Sequence, residues 1–353
     1  MKKYLIILIT LFVTSVGYAQ SLYDTPYLRT GVPANWQQNL ETIFYQNVPQ
    51  HKPWQVAMFL GKELRPTQET LDVIRQQIKQ GNIVRAAVLS FSEETPVLYI
   101  LSEQENEKIK LSKTAENAEL LHALFRELTL YSSFHTALIL NADSPDGVIM
   151  HYGKDGKLLL SQVLEQLEKQ YLYIDVMDLQ ACFTGNIFNA YQLAKSERIH
   201  YILLPSDRRR GSRYQMYYYL LTQLQNDPLQ TALATSQETA HLLNSSTDRK
   251  THNLLLLDLT QLKQPLKNWI TQLPADFSIQ PKKVSLYEVL DTHDTPQARQ
   301  LKSTLRTSIL TQWCYSGATH QTYTNTITPE TDCLDGLSID RYTLRLFQEA
   351  SSM

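Results

Sequence analysis

The chain has few cysteines, almost no excess charge, and no apolar run beyond its first twenty residues that is long enough to cross a membrane. Lysine plus arginine number 33 against 35 for aspartate plus glutamate, and no long basic run occurs. Nucleic acid is therefore not an expected partner, because proteins that bind it carry a basic patch. With 353 residues and 43% hydrophobic composition, the chain is long and apolar enough to bury a full core.

The amino terminus has the pattern of an export signal. Two lysines precede an apolar stretch from Tyr4 to Val16, and Gly17-Tyr18-Ala19 places small residues at the two positions that a signal peptidase reads. The pattern predicts cleavage before Gln20 and a mature protein that is periplasmic or secreted, with no membrane contact. The alternative, an uncleaved anchor, is disfavoured because the apolar run is short for a bilayer.

Export permits disulfides, and the sequence holds three cysteines. Cys314 and Cys333 stand 19 positions apart, so a bridge between them would close a short loop worth at most about 3 kcal/mol. That pairing leaves Cys182 as a thiol. The alternative is that all three are unpaired.

Apolar runs alternate with segments of helical periodicity, which predicts an α/β fold with a mainly parallel sheet flanked by helices. We expect an N-terminal extension over residues 20–50, an α/β domain over 51–263, and a C-terminal, helix-rich subdomain over 264–353. The strands are predicted at 54–60, 83–90, 96–101, 136–140, 171–179, 201–204 and 253–258, and the helices at 67–80, 118–131, 186–194, 262–273 and 295–312.

Cys182 is the candidate nucleophile. It follows the apolar run 171–179 and lies in Gln180-Ala-Cys-Phe-Thr-Gly185. A reactive thiol must be exposed and supported by positive charge, and the crevice at the carboxyl ends of parallel strands presents such groups. The alternative is a buried cysteine that serves only packing.

The order of these motifs resembles the clostripain family of cysteine peptidases, which have a caspase-like α/β fold. The segments that carry the resemblance are Trp54–Phe59, Cys182 with Gly185, Ala190–Leu193, Pro205–Asp207 with Gly211, Leu255–Leu259, Ser285–Leu290 and Gly336–Ile339. The resemblance implies a caspase-like fold and a peptidase whose nucleophile is Cys182. It also allows a calcium ion, but the sequence has no dense acidic loop to hold one, and we expect no cofactor.

The resemblance further implies a histidine and a glycine after the strand at 136–140. This chain has Asp143 and Ser144 there. A carboxylate is a poor substitute base, because its charge raises the pKa of a neighbouring thiol. We therefore expect a damaged catalytic pair and a Cys182 pKa at or above that of a free cysteine. Ser144 still offers a backbone N–H which, with that of Cys182, would form an oxyanion hole.

His151 is the candidate substitute base, because it follows shortly after the altered turn on a segment that returns towards it. Its alternative is an ordinary surface histidine. His135 precedes its strand, so we expect it at the opposite end of the sheet from Cys182. The histidines show no spacing typical of metal ligands.

Two residues are candidates for substrate binding. Clostripain-like enzymes cut after arginine or lysine, and their pocket has an acid two positions before the nucleophile, where this chain has Gln180. Asp207 would supply a second acid, but Arg208–Arg210 follow it and would repel a basic side chain unless they form a solvated loop.

Two functions remain open on the sequence. One is a cysteine endopeptidase with Cys182 as nucleophile. The other is a non-catalytic pseudo-peptidase that binds a peptide or a partner protein through the same crevice.

Overall fold

The computed structural model describes most of the chain after residue 52. The described ranges are 53–61, 68–91, 95–129, 135–152, 155–206, 219–244, 252–274, 277–279, 282–316, 318–319, 321–325 and 333–352. The predicted signal peptide and N-terminal extension lie outside the described residues, as do Asp207 and Arg208–Arg210.

A large sheet forms the centre of the molecule, with strand order β13-β12-β10-β9-β8-β5-β1-β2-β3-β4. Two short pairs, β6 with β7 and β11 with β14, lie outside it. The strands are β1 Trp54–Leu60, β2 Ile83–Ser90, β3 Val97–Ser102, β4 Asn106–Lys110, β5 His135–Asn141, β6 Ile149–Tyr152, β7 Gly156–Leu159, β8 Ile174–Gln180, β9 Ile199–Leu204, β10 His252–Asp258, β11 Val284–Ser285, β12 Ile309–Ser316, β13 Gln321–Thr324 and β14 Ser338–Ile339.

Helices pack on both faces of this sheet. They are α1 Gln68–Lys79, α2 Asn117–Thr129, α3 Leu160–Lys169, α4 Ile187–Ser196, α5 Tyr219–Thr222, α6 Pro228–Asn244, α7 Lys263–Ile270, α8 Leu286–Thr292, α9 Pro296–Ser308 and α10 Arg341–Ser351.

The sheet is parallel at its centre and antiparallel at its edges. Strands β2, β1, β5, β8 and β9 run parallel to their neighbours, whereas β3 and β4 at one edge and β10, β12 and β13 at the other are antiparallel. The predicted α/β class with a mainly parallel central sheet flanked by helices is confirmed. The antiparallel edges were not predicted.

Strand β1 shows why these segments form central strands. All seven of its residues are buried. Ala57 and Phe59 contribute to one hydrophobic core, and Val56 and Met58 to the core on the other face. A strand covered on both faces is apolar throughout, which is the pattern of parallel sheets.

Helix α9 begins as predicted but ends earlier than predicted. Thr295 caps it by accepting a hydrogen bond from Ala298 N, and Pro296 occupies its first turn. The predicted end at residue 312 is wrong. The chain leaves the helix after Ser308, because Ile309–Ser316 forms β12 and pairs with β10. The segment after residue 263 therefore adds strands to the same sheet as well as helices.

Cys314 and Cys333 form a disulfide with a Cα–Cα distance of 6.2 Å. This settles the pairing that the sequence left open. The disulfide joins the segment that precedes β14 to β12, the second strand from one edge of the sheet. Within the described ranges, no helix is both long and apolar enough to cross a membrane.

Candidate active site

The pairing of β5 with β8 brings the two turns of the candidate site together. Asn141, at the end of β5, is in register with Gln180, at the end of β8. Asp143 and Cys182 each follow that pair by two residues. Because parallel neighbours lie about 4.8 Å apart, the turn that carries Asp143 leaves the sheet beside the turn that carries Cys182.

Cys182 lies in a tight turn between β8 and α4. It is half-buried and takes no part in the disulfide. The next residue, Phe183, has a φ of 60°, a left-handed conformation that bulky residues rarely adopt. Such strain is typical of functional turns when the surroundings hold it in place.

The end of this turn is held by distant parts of the chain. Gly185 N donates to Pro205 O at 2.6 Å, and Gly185 O accepts from Ser338 N at 2.8 Å and from Ser338 Oγ at 3.2 Å. A side chain at position 185 has no room, because an added Cβ would lie 2.6 Å from Ser206 N. The glycine that the sequence placed in the nucleophile motif is thus required by close backbone packing.

Helix α4 starts at Ile187, five residues after Cys182. Asn186 caps it by accepting a hydrogen bond from Asn189 N at 3.0 Å. A helix amino terminus carries partial positive charge, which favours a nearby thiolate. A second positive group is Lys283, whose Nζ lies 4.0 Å from the centroid of the Phe183 ring.

The turn after β5 has a carboxylate where the family resemblance implies a histidine. Asp143 is exposed, and Ser144 is fully buried with its Oγ donating to Ile149 O at 3.0 Å. Asp146 Oδ1 accepts from the backbone N–H groups of Val148 and Ile149, both at 2.8 Å. The turn is therefore internally braced.

His151 is paired with Asp143 through the backbone. Asp143 N donates to His151 O at 3.1 Å, and His151 N donates to Asp143 O at 2.6 Å. Residues opposed in this way in an antiparallel pair carry their side chains on the same face, with Cβ atoms about 4.5–5.5 Å apart.

The position of β6 relative to this turn determines the lateral order of three segments: β6 with His151, the turn with Asp143, and the Cys182 turn. Asn141 O accepts from Gly61 N at 2.8 Å, so this edge of the strand faces β1. Backbone groups two residues on face the same side, which is where β6 pairs with Asp143. A Cβ added to Gly61 would lie 3.7 Å from Tyr152 Cβ, which agrees with β6 lying above the end of β1. The backbone of Asp143 thus lies between that of His151 and the Cys182 turn.

Gln180 belongs to a chain of three polar side chains. Its Oε1 accepts from Asn141 Nδ2 at 2.8 Å, and its Nε2 donates to Asp178 Oδ2 at 2.5 Å. Asp178 is fully buried and Gln180 is nearly so. A buried carboxylate must be satisfied by donors, and the Gln180 amide is one of them. Sequence reasoning missed Asp178, although an aspartate within an apolar strand was a visible signal.

His135 is the first residue of β5, at the opposite end of the strand from Asn141. Its Nε2 lies 3.1 Å from Asn226 O. Among the described residues, histidine, cysteine and carboxylate side chains form no group of three that suits a metal ion.

Comparison with known proteins gives a structural match. No protein-family model and no curated protein matches the sequence. An inactive zymogen of a C11 protease from Parabacteroides distasonis is 12% identical, with 86% of this chain and 96% of that chain covered at a TM-score of 0.54. A secreted C11 cysteine protease from Bacteroides thetaiotaomicron, in complex with an irreversible peptide inhibitor, is 11% identical, with 82% and 93% covered at a TM-score of 0.54. The chain shares the caspase-like fold of these C11, or clostripain-family, proteases.

Proposed function

We propose that this chain is an exported clostripain-like cysteine endopeptidase that binds an extended peptide at the carboxyl ends of β5 and β8. The observation that carries the proposal is the register of Asn141 with Gln180, since it brings the Cys182 turn beside the braced turn that begins at Asp143. A secreted protease with this fold binds a peptide inhibitor. The predicted signal sequence is consistent with export.

Cys182 is the proposed nucleophile. Its sulfur attacks the peptide carbonyl carbon while the thiol proton passes to a base, and the C–N bond breaks as that proton goes to the leaving amine. Water then hydrolyses the thioester, which releases the acid and restores the thiol. The amino terminus of α4 and the Lys283 ammonium near Phe183 both favour the thiolate. The backbone N–H of Cys182 is the proposed donor to the oxyanion, whereas Ser144 is fully buried, so its N–H would contribute only after a movement of its turn.

His151 is the proposed base, and it acts at a disadvantage. The backbone of Asp143 lies between His151 and the Cys182 turn, so we propose that the imidazole reaches past Asp143 to take the thiol proton. A base that is held off the productive geometry loses much of the roughly 10²–10⁴-fold that proton transfer contributes. We therefore propose slow turnover.

Gln180 and Asp207 are the proposed substrate-binding residues. The Gln180 amide is neutral and already bonded to Asn141 and Asp178, so it offers no charge to an arginine or lysine side chain. We therefore propose that the site has no preference for a basic side chain through Gln180.

The second candidate function is a non-catalytic relative that binds a peptide or a partner protein in the same crevice. The presence of Asp143 in the turn next to the Cys182 turn favours it, because a carboxylate near a thiol disfavours the thiolate.

One experiment separates the two functions. The mature protein, from Gln20 onward, is incubated with a peptide library, and new termini are identified by mass spectrometry in the parent, Cys182→Ala and His151→Ala. Cleavage that is lost in Cys182→Ala and reduced in His151→Ala supports the peptidase. If neither the parent nor either variant cleaves, while the parent and Cys182→Ala retain the same peptides, the chain is a binding protein.

A further inference from the structure

Two buried asparagines join the two turns of the site. Asn186 Nδ2 donates to Gly147 O at 2.9 Å, and Asn189 Nδ2 donates to the same oxygen at 2.7 Å. Each amide also bonds the nucleophile turn, Asn186 to Phe183 O and Asn189 to Thr184 O, both at 3.0 Å. Both side chains are nearly inaccessible to solvent.

The two backbones that these amides join are in close contact. Gly147 has a φ of 76°, and a Cβ at that position would lie 2.3 Å from Phe183 O. Only glycine allows this approach. The carbonyl oxygens of Gly147 and Phe183 accept from the same amide group of Asn186, which therefore joins the two backbones where they meet.

The asparagines are not explained by helix capping alone. The cap of α4 uses Asn186 Oδ1, which accepts from Asn189 N, and serine or aspartate would serve equally well there. The Nδ2 groups take no part in the cap. Asn189 Oδ1 is buried and has no hydrogen-bond partner among the described residues. A buried amide with an unsatisfied oxygen costs stability, so the donors of Asn189 must supply a compensating role.

We propose that Asn186 and Asn189 form an amide clamp that sets the separation between the Cys182 turn and the turn that bears Asp143. The clamp acts on Gly147 O, and Asp146 and Ser144 brace the rest of that turn as far as Ile149. Fixing Gly147 therefore fixes Asp143 and its partner His151. The two asparagines are positioning residues, and this role rests on the proposed function for its catalytic meaning but not for its geometry.

The test measures the separation of the turns without using catalysis. Asp143→Cys places a second thiol two residues beyond the Asn141–Gln180 pair. The native disulfide joins the other two cysteines, so the introduced thiol has Cys182 as its partner. We expect a disulfide to form under mild oxidation, because neighbouring strands fall within the range of Cα separations that a disulfide spans. Its rate is followed by mass spectrometry of the cleaved peptides.

The clamp variants are Asn186→Ser, which keeps a capping oxygen but removes the amide, and Asn189→Leu, which removes the donors at similar volume. Asn186→Ala removes both the cap and the amide. We expect the first two variants to slow cross-linking by about tenfold, since small displacements of reacting groups have large effects on rate. Far-UV circular dichroism and the Tm show whether each variant is folded.

The outcomes separate the clamp from the proposed function. Slower cross-linking in folded Asn186→Ser and Asn189→Leu supports the clamp, whether or not the parent cleaves peptides. An unchanged rate in both overturns it, as does a failure of Asp143→Cys to cross-link in the otherwise unchanged chain. If the parent does cleave peptides, the same variants lower kcat with little change in KM. The library experiment alone decides the peptidase.

Discussion

Asp143 and His151 exchange both of their backbone hydrogen bonds, at 3.1 and 2.6 Å, and so form a two-residue bridge beside the candidate nucleophile. Because β6 joins from the side of β1, the backbone of Asp143 lies between that of His151 and the end of β8. The fold thus has both members of the proposed pair, Cys182 and His151, with the backbone of Asp143 between their segments.

Replacing Asp143 tests that interposition. Asp143→Asn removes a negative charge from the turn next to the Cys182 turn, which would make the thiolate easier to form. We expect iodoacetamide to alkylate Cys182 roughly two- to tenfold faster at pH 7. Asp155→Asn is the matched control, because Asp155 is an exposed acid on the far end of the same hairpin. Equal rates in parent and Asp143→Asn would mean that the carboxylate does not act on the thiol.

Moving the imidazole is the complementary change. Asp143→His places a base at the end of the strand next to β8, where the family resemblance implies one. We expect alkylation of Cys182 to gain a plateau that extends to about pH 6, because an imidazolium beside the thiolate lowers the pKa of the thiol. Asp143→Gln is the neutral control. A profile that still rises only above neutral pH would contradict the inferred adjacency of the two turns.

Gln180→Glu restores the acid that the family resemblance implies, but the side chains around position 180 disfavour a second negative charge. The new carboxylate would lose the hydrogen bond to buried Asp178 and place two negative charges in contact. We expect a loss of about 1–3 kcal/mol of stability at pH 7.

The loss of stability in Gln180→Glu should depend on pH, and it should be smaller at low pH. One carboxyl of the pair keeps its proton to higher pH in the folded state than in the unfolded state, so its folded pKa is raised and stability is regained as the pH falls. Urea unfolding at several pH values measures this. Adding Asp178→Asn should remove the loss, and a double variant no more stable than Gln180→Glu would refute the proposed contact.

The sequence was most informative where one strand determines the site. The apolar run before Cys182 predicted β8, the turn and α4, because a buried parallel strand has a simple pattern. Prediction from the sequence failed where contacts between distant segments determine the local structure. Ile309 continues the helical spacing of Leu305, yet pairing with β10 draws it into β12. The contact of Ser338 with Gly185 joins residues 153 positions apart, and no local signal reveals it.

The side of β5 on which β6 lies could not be predicted from the sequence either. The spacing between Asp143 and His151 predicts a return of the chain, but not whether the returning strand lies towards β1 or towards β8. Packing of Tyr152 against Phe59 and Phe91, with ring centroids 5.2 and 4.4 Å apart, favours the side of β1.

Tyr287 makes the protein sensitive to alkaline pH. Burial, together with the nearby Asp335 carboxylate, raises the pKa of Tyr287 to about 12 from the ordinary value of 10.0. Between these values the unfolded chain loses the phenol proton while the folded chain keeps it. Stability is therefore fully present below pH 10 and is lost as the pH rises towards 12.

Tyr287→Phe should reduce that alkaline loss, as measured by urea unfolding between pH 9 and 12 (roughly the window set by the two pKa values). Tyr342→Phe is the control, because Tyr342 is exposed and should leave the slope unchanged. Parallel slopes for the parent and Tyr287→Phe would show that another group is responsible.

The disulfide should support the fold more than the site. Removing it with Cys314→Ala and Cys333→Ala opens a loop whose ends are 19 residues apart, for an expected loss of about 3 kcal/mol in denaturant unfolding. The following segment keeps other attachments. Leu334 O accepts from Asn253 Nδ2 at 2.9 Å and Gln312 Nε2 at 2.6 Å, and Ser338 still bonds Gly185.

Because those hydrogen bonds hold the segment beside the nucleophile turn, alkylation of Cys182 in the double variant should stay within about twofold of the parent in native buffer, where the residual stability of a typical domain keeps it folded. The variant also leaves Cys182 as the one cysteine of the chain, so the rate reports that thiol directly. If alkylation instead rose by tenfold or more while circular dichroism stayed native, the bridge itself would be holding the turn, and reducing conditions would then change the reactivity of Cys182 through a bond in the C-terminal segment.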